Sequence, residues 1–222
     1  MNTVMKFLRL YEKDTTLQFP EKFLYEYSKM VILLFLIVLL VYLLPSYPKP
    51  VVIENFLTEK ERKYIIEQAK KELHVSTVDK DKRVDERIRK SETAWLNTKD
   101  PIIRSVVERC VSRTDRPIEN CEQLQVLRYT EGGHYKPHQD VFYQDKNKRL
   151  YTLIIALNDD YEGGETAFPV INEKYKLNAG DALFFHTLDN YGLDTSDALH
   201  GGQPVKSGEK WVCNLWVHKY PY

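Results

Sequence analysis

The sequence predicts an α+β protein: short antiparallel strands that pair as a sandwich or jelly roll, supported by N-terminal helices and preceded by a single transmembrane helix. Three observations lead there. One is an apolar run near the N-terminus. The second is a pair of well-capped amphipathic helices in the first half of the remainder. The third is a change after Cys121 to short alternating segments separated by Gly-containing turns.

The apolar run covers residues 30–44, fifteen residues without a charge. As a helix it extends roughly 22 Å, somewhat short of a ~30 Å hydrocarbon core. Tyr25, Tyr27 and Tyr47 sit where aromatic residues favour a membrane interface, and Lys29 is placed to snorkel. Twenty-nine residues precede the run and no small-residue cleavage site follows it, so an uncleaved anchor is expected, not a signal peptide. A core helix is the alternative, but an all-round Leu/Ile/Val helix needs apolar neighbours on every side. Lysines flank both ends, and the positive-inside rule gives no orientation. The expected organisation is a tail over residues 1–29, an anchor over 30–44, a Pro-rich linker over 45–50 and one domain over 51–222.

The whole chain has 222 residues, with Lys+Arg and Asp+Glu equal at 32 each. The first fifty residues hold 6 basic and 4 acidic side chains, so the domain carries a net charge of −2. A charge-balanced domain argues against nucleic acid as a partner. The mean hydropathy of −0.47 averages an anchor with a polar domain.

Within the domain, Thr58 and Glu61 form a capping box, and Ile65, Ala69 and Leu73 follow at helical spacing. A second helix is expected at Asp100-Pro101, with Ile103, Val106, Val107 and Cys110 on its apolar face. The charged stretch 74–89 between them reads as a strand edge or loop. Strands are expected over residues 122–129, 150–158, 175–177, 181–186 and 210–218.

His138-Gln139-Asp140 follows the first of these strands and a Gly-Gly turn, and alternation places residues 138 and 140 on one face. The tripeptide alone is weak. His200, about sixty residues later beside another expected strand, supplies a third partner. Two histidines and one carboxylate can bind one face of an octahedral metal, the arrangement of non-haem Fe(II) oxygenases. A structural His–Asp pair and a zinc site are the alternatives. Lys210 begins the last strand, where a cation could anchor a dicarboxylate co-substrate.

These segments together resemble the prolyl 4-hydroxylase family of Fe(II)/2-oxoglutarate dioxygenases. The matching blocks are LQVLRYTEGGHYKPHQD (124–140), NDDYEGGETAFP (158–169), GDALFF (180–185), LHGGQPV (199–205) and GEKWVCNLWVH (208–218). The resemblance implies a double-stranded β-helix (jelly-roll) catalytic core. It implies His138, Asp140 and His200 as iron ligands, and Lys210, Tyr129 and Thr166 as partners of the distal 2-oxoglutarate carboxylate. Tyr135, Arg149, Trp216 and His218 match peptide-groove positions, with Arg89, Ser91 and Glu122 at its rim. The implied cofactors are Fe(II), 2-oxoglutarate, O2 and ascorbate. The implied partner is a proline-rich or collagen-like peptide, and the implied reaction is proline 4-hydroxylation coupled to formation of succinate and CO2. A similar hydroxylase of another target, such as a lysyl side chain, and an idle membrane-tethered binder of proline-rich peptides are the rival readings. The short anchored form implies a type II protein of the endoplasmic reticulum membrane with a lumenal catalytic domain.

Two features depart from, or add to, the family pattern. His186 stands where many relatives have Trp, and is expected to be exposed, a donor near the iron pocket being the alternative. Cys110 and Cys121 frame a short loop; in an oxidising lumen a disulfide there would add about 3 kcal/mol. Two unpaired buried thiols are the alternative, and Cys213 is expected in the core.

Overall fold

The computed structural model describes residues 21–43, 46–78, 83–141 and 145–222. The chain divides into two units, residues 1–45 and 46–222.

In the first unit, helix α1 spans Glu21–Leu43. It starts before the expected Met30, because the preceding residues are mostly good helix formers with no Pro or Gly among them. Its 23 residues extend roughly 34 Å, long enough for a hydrocarbon core. The window Tyr25–Tyr42 is apolar and none of it is buried. Residues 1–20 of the expected tail, and Leu44 and Pro45, lie outside the described residues.

The second unit runs β1 (Val51–Ile53), α2 (Glu59–Ala69), β2 (His74–Val75), β3 (Arg89–Lys90), β4 (Glu92–Leu96) and α3 (Pro101–Val111). It continues with β5 (Leu124–Tyr129), β6 (His134–His138), β7 (Arg149–Ala156), β8 (Tyr161–Gly163) and β9 (Thr166–Phe168). Last come β10 (Glu173–Tyr175), β11 (Ala182–His186), β12 (His200–Gly202), β13 (Val205–Gly208) and β14 (Lys210–His218). Every ladder is antiparallel. The major sheet has the order β1-β11-β7-β14-β5-β4-β2, and the minor sheet β10-β9-β12-β6-β3. This is the two-sheet pattern of a jelly-roll core.

The helix-then-strand order expected from the sequence is corrected. Strands β1 and β4 join the major sheet from the N-terminal half, and β2 and β3 come from the charged stretch. They are short, and β3, Arg89–Lys90, carries the charge typical of an edge.

Both helices begin as their sequences dictate. Thr58 and Glu61 complete the capping box of α2, and the Asp100 carboxylate accepts from the backbone N–H of Ile102 and Ile103 at the start of α3. Arg109 of α3 pairs with Glu61 at 2.6 Å and holds that carboxyl down at about 2. The apolar faces of α2 and α3 cover one face of the major sheet.

Period-2 alternation on β14 decides what meets what. Trp211, Cys213, Leu215 and Val217 pack with the helices, as do Val126 of β5 and Ile155 of β7. Lys210, Val212, Asn214 and Trp216 point the other way and line a cavity of about 360 Å³. A second core of Leu127, Ile154, Phe168, Leu183 and Phe185 closes the space between the sheets. Cys110, Cys121 and Cys213 are free thiols, so the expected Cys110–Cys121 bridge is absent.

Residues 46–50, expected as a linker, pack on the domain. Tyr47 is buried and its hydroxyl donates to the His186 carbonyl at 2.8 Å. The Ser46 carbonyl accepts from Asn190 N–H at 2.7 Å, and Lys49 pairs with Glu173.

Candidate active site

His138 ends β6, Asp140 lies in the bend just after it, and His200 opens β12. The ladder between β6 and β12 puts His200 directly opposite His138. Gly201 makes that approach possible. A Cβ there would meet the Pro137 nitrogen and the Tyr135 carbonyl, each at 2.8 Å.

Each imidazole has its tautomer set by a backbone carbonyl. His138 Nδ1 donates to the Lys136 carbonyl at 2.9 Å and His200 Nδ1 to the Ala198 carbonyl at 3.0 Å. Both Nε2 atoms are left with lone pairs facing Asp140. His138 Nε2 is 3.6 Å from Oδ1, and His200 Nε2 is 3.6 Å from Oδ2. Thr152 Oγ1 donates to Asp140 Oδ2 at 2.6 Å. Burial alone would raise the Asp140 carboxyl; the facing His200 and His138 rings outweigh that and hold it well below the ordinary range. Burial pushes His200 down to about 4, so it is a neutral ligand at neutral pH. The ligand atoms of the three residues lie within 4.8 Å of one another. Tyr135 stacks on His138 at 3.7 Å, while Phe185 and Phe168 pack on His200 at 4.7 and 5.4 Å.

Lys210 is buried directly opposite Tyr129 in the β14–β5 ladder. Its Nζ donates to the Gly164 carbonyl at 2.7 Å, and Gly164 has φ +67 with Lys210 Cδ 3.2 Å from where a Cβ would stand. Among the described residues no carboxylate lies within ion-pair distance, and burial lowers its pKa to about 8. Tyr129 and Thr166 line the same cavity as the triad and Lys210.

Of the expected groove residues, Tyr135, Arg149 and Trp216 line this cavity. The Arg149 guanidinium lies 3.9 Å from the Trp216 ring centroid; its Nε donates to Glu122 at 2.6 Å and its Nη1 to the Asp140 carbonyl at 3.3 Å. His218 does not line the cavity. A register shift between Val217 and His218 interrupts the alternation, and the ring contacts Glu122 at 2.8 Å and the Asn147 carbonyl at 2.8 Å. His218 therefore reaches the groove only through Glu122 and Arg149. Arg89 is buried at the cavity wall over Tyr135, while Ser91 and Glu122 stand behind it. His186 is half-buried, against the expected exposure. It faces away from the metal ligands, edge-on to Tyr151 and Phe184.

Sequence reasoning missed Thr152, whose only signal is one hydroxyl in an otherwise apolar stretch of β7, and the cavity residues Trp95, Gln125 and Asn214.

Two imidazole Nε2 atoms and a carboxylate converging on one point suit a divalent first-row metal such as Fe(II), and a buried lysine with no carboxylate beside it among the described residues suits a dicarboxylate. The comparisons agree. The profile of the 2OG-Fe(II) oxygenase superfamily matches residues 124–218. The fold and site are those of an Fe(II)/2-oxoglutarate-dependent dioxygenase, whose cofactors are Fe(II), 2-oxoglutarate and O2, with ascorbate typical.

A putative prolyl 4-hydroxylase of Acanthamoeba polyphaga mimivirus is 34% identical over 184 residues, covering 78% of this chain and 75% of that protein. The probable prolyl 4-hydroxylase 10 of Arabidopsis thaliana is 34% identical over 203 residues, covering 79% and 70%. The viral collagen prolyl hydroxylase of Paramecium bursaria Chlorella virus 1, in its 2OG complex, superposes with a TM-score of 0.62 at 29% identity, over 78% of this chain and 97% of that one. The chain belongs to the prolyl 4-hydroxylase family.

Two outcomes follow from the geometry. Gly201→Ala forces β12 off β6 and weakens Mn(II) binding, measured by calorimetry, about tenfold or more. Lys210 is charged below about pH 8 and neutral above it. Affinity for 2-oxoglutarate therefore holds below that pH and falls about tenfold per unit above it, and Lys210→Met removes this pH dependence along with most of the affinity.

Proposed function

We propose that this chain is a membrane-tethered peptidyl-proline 4-hydroxylase that couples hydroxylation to conversion of 2-oxoglutarate into succinate and CO2. The observation that carries the reading is one cavity lined by the His138–Asp140–His200 triad, the buried Lys210 and the aromatic side chains of Tyr135 and Trp216. The family relationship supports the same reading.

The residues divide the work. His138, Asp140 and His200 hold Fe(II), which with 2-oxoglutarate and O2 supplies the oxidising power for inserting oxygen into a C–H bond. Lys210 binds the distal carboxylate of 2-oxoglutarate, with Tyr129 and Thr166 as neutral partners, so a buried anion meets a buried cation. Thr152 fixes the orientation of the Asp140 carboxylate that would hold the metal. Tyr135 and Trp216 offer aromatic faces to the proline ring. Arg149 donates to a carbonyl of a peptide held in extended polyproline form, and Glu122 and His218 keep its guanidinium aimed.

Helix α1 serves as a single-pass type II anchor, with the catalytic domain in the endoplasmic reticulum lumen. The apolar window Tyr25–Tyr42, exposed along its whole length, supports the anchor.

Product mapping by mass spectrometry tests the activity. With Fe(II), 2-oxoglutarate and ascorbate, a proline-containing peptide gains one oxygen on a proline ring, and His138→Ala abolishes both this gain and succinate release. A gain on lysine instead would assign the rival substrate. Peptide binding without turnover in the parent chain would make it a binder.

A further inference from the structure

Residues 46–50 touch both sheets of the domain. On one side, Tyr47 is 6% exposed and its hydroxyl donates to the His186 carbonyl at the end of β11. Asn190 N–H, in the loop beyond β11, donates to the Ser46 carbonyl. On the other side, Lys49 Nζ stands 2.7 Å from Glu173 of β10, and the Tyr175 hydroxyl of the same strand donates to the carbonyl of the buried Pro50 at 3.4 Å. Strand β1 starts at the next residue and pairs with β11. β1 and β10 are outer strands of the major and minor sheets, and among the described residues no ladder joins them. The segment therefore straps the two sheets together along an edge that backbone pairing leaves open.

Both ends of the strap lead to one residue of the triad. The residue before His186 is Phe185, whose ring lies edge-on to His200 with centroids 4.7 Å apart. Tyr175 meets Phe168 edge-on at 5.9 Å, and Phe168 stacks on His200 at 5.4 Å. Phe168 and Phe185 also meet each other at 5.1 Å. These two phenyl rings come from different sheets, on β9 and β11, and both are fully buried. In a close-packed interior a shift of one sheet against the other is passed to the ring that both touch. A free spacer would leave Tyr47 in solvent, and a catalytic role is ruled out because its hydroxyl is committed to the His186 carbonyl and the residue does not line the cavity.

We propose that the segment 46–50, through Tyr47, is a positioning element for His200. It clamps the sheets so that Phe168 and Phe185 hold the imidazole at the angle its Nε2 needs to coordinate. The stretch that follows the membrane helix is thereby part of the support of the metal centre. The inference rests on the reading of His138, Asp140 and His200 as the metal ligands.

The test uses the full chain in detergent. Mn(II) affinity is measured by calorimetry, the paramagnetic resonance spectrum of bound Mn(II) reports ligand geometry, and the melting temperature of the metal-free chain reports stability. Tyr47→Ala weakens Mn(II) binding about tenfold and alters the spectrum. Tyr47→Phe combined with Tyr175→Phe removes both strap hydrogen bonds, keeps both rings, and produces a smaller change of the same kind. Ile65→Val, a core change in α2, lowers the melting temperature and leaves affinity and spectrum as they are in the parent. If Tyr47→Ala fails to fold, the double variant still decides. Parent-like affinity and spectrum in every folded strap variant, whatever its melting temperature, overturn the inference and leave 46–50 as packing alone. If the parent binds Mn(II) no more tightly than His200→Ala does, the metal-site reading fails and the inference with it.

Discussion

His200 stands opposite His138 in the β6–β12 ladder, and the site depends on that register. Strands have a period of two, so a slip of one residue would turn either histidine to the other face of its strand. The register is held by a close backbone approach that only Gly201 permits, and by aromatic rings packed on each imidazole. The ligand geometry is thus a property of the sheet, with the carbonyls of Lys136 and Ala198 leaving both Nε2 atoms free to coordinate. Loops contribute Asp140, and it is tied to the major sheet through Thr152.

Buried charge is the second organising feature. Asp140 and Lys210 are both buried; Asp140 faces two imidazoles at 3.6 Å, and among the described residues Lys210 has no carboxylate within ion-pair distance. Such groups oppose folding unless something compensates them. A divalent cation at Asp140 and a dicarboxylate at Lys210 would each supply the missing charge. The domain's near-balanced surface then has no part in recognition at the centre. Arg149 illustrates the contrary case. It is compensated within the protein by Glu122, which His218 also contacts, and is thereby held rigidly at the cavity wall.

Much of this was legible in the sequence, for physical reasons. Helices α2 and α3 are marked by caps and apolar spacing, and β14 by an apolar run of strand-forming residues between the Ser207-Gly208 turn and His218. The triad and Lys210 stood out because charged or ligating side chains next to glycines in strand-rich sequence have few structural uses. Other parts were hidden. Strands β2 and β3 are two residues each and gain their form only by pairing with β4 and β6. The Pro-rich segment 46–50 reads as a spacer, yet Tyr47 is buried with its hydroxyl on a carbonyl at the end of β11. His218 stands outside the cavity wall because of the register shift beside it, which no sequence pattern signals. Thr152, Gln125 and Asn214 look like ordinary strand residues until the sheets close over them. His186 faces the side away from the ligands by the same alternation that turns Phe185 toward His200.

On the proposed function, one cavity holds a metal at the triad and a dicarboxylate at Lys210. Anomalous scattering from crystals grown with Mn(II) and 2-oxoglutarate measures this directly. The expected result is one manganese peak bonded to His138, Asp140 and His200, with the 2-oxoglutarate tail ending on the Lys210 ammonium. A metal peak elsewhere, or a dicarboxylate whose tail lies away from Lys210, would contradict it.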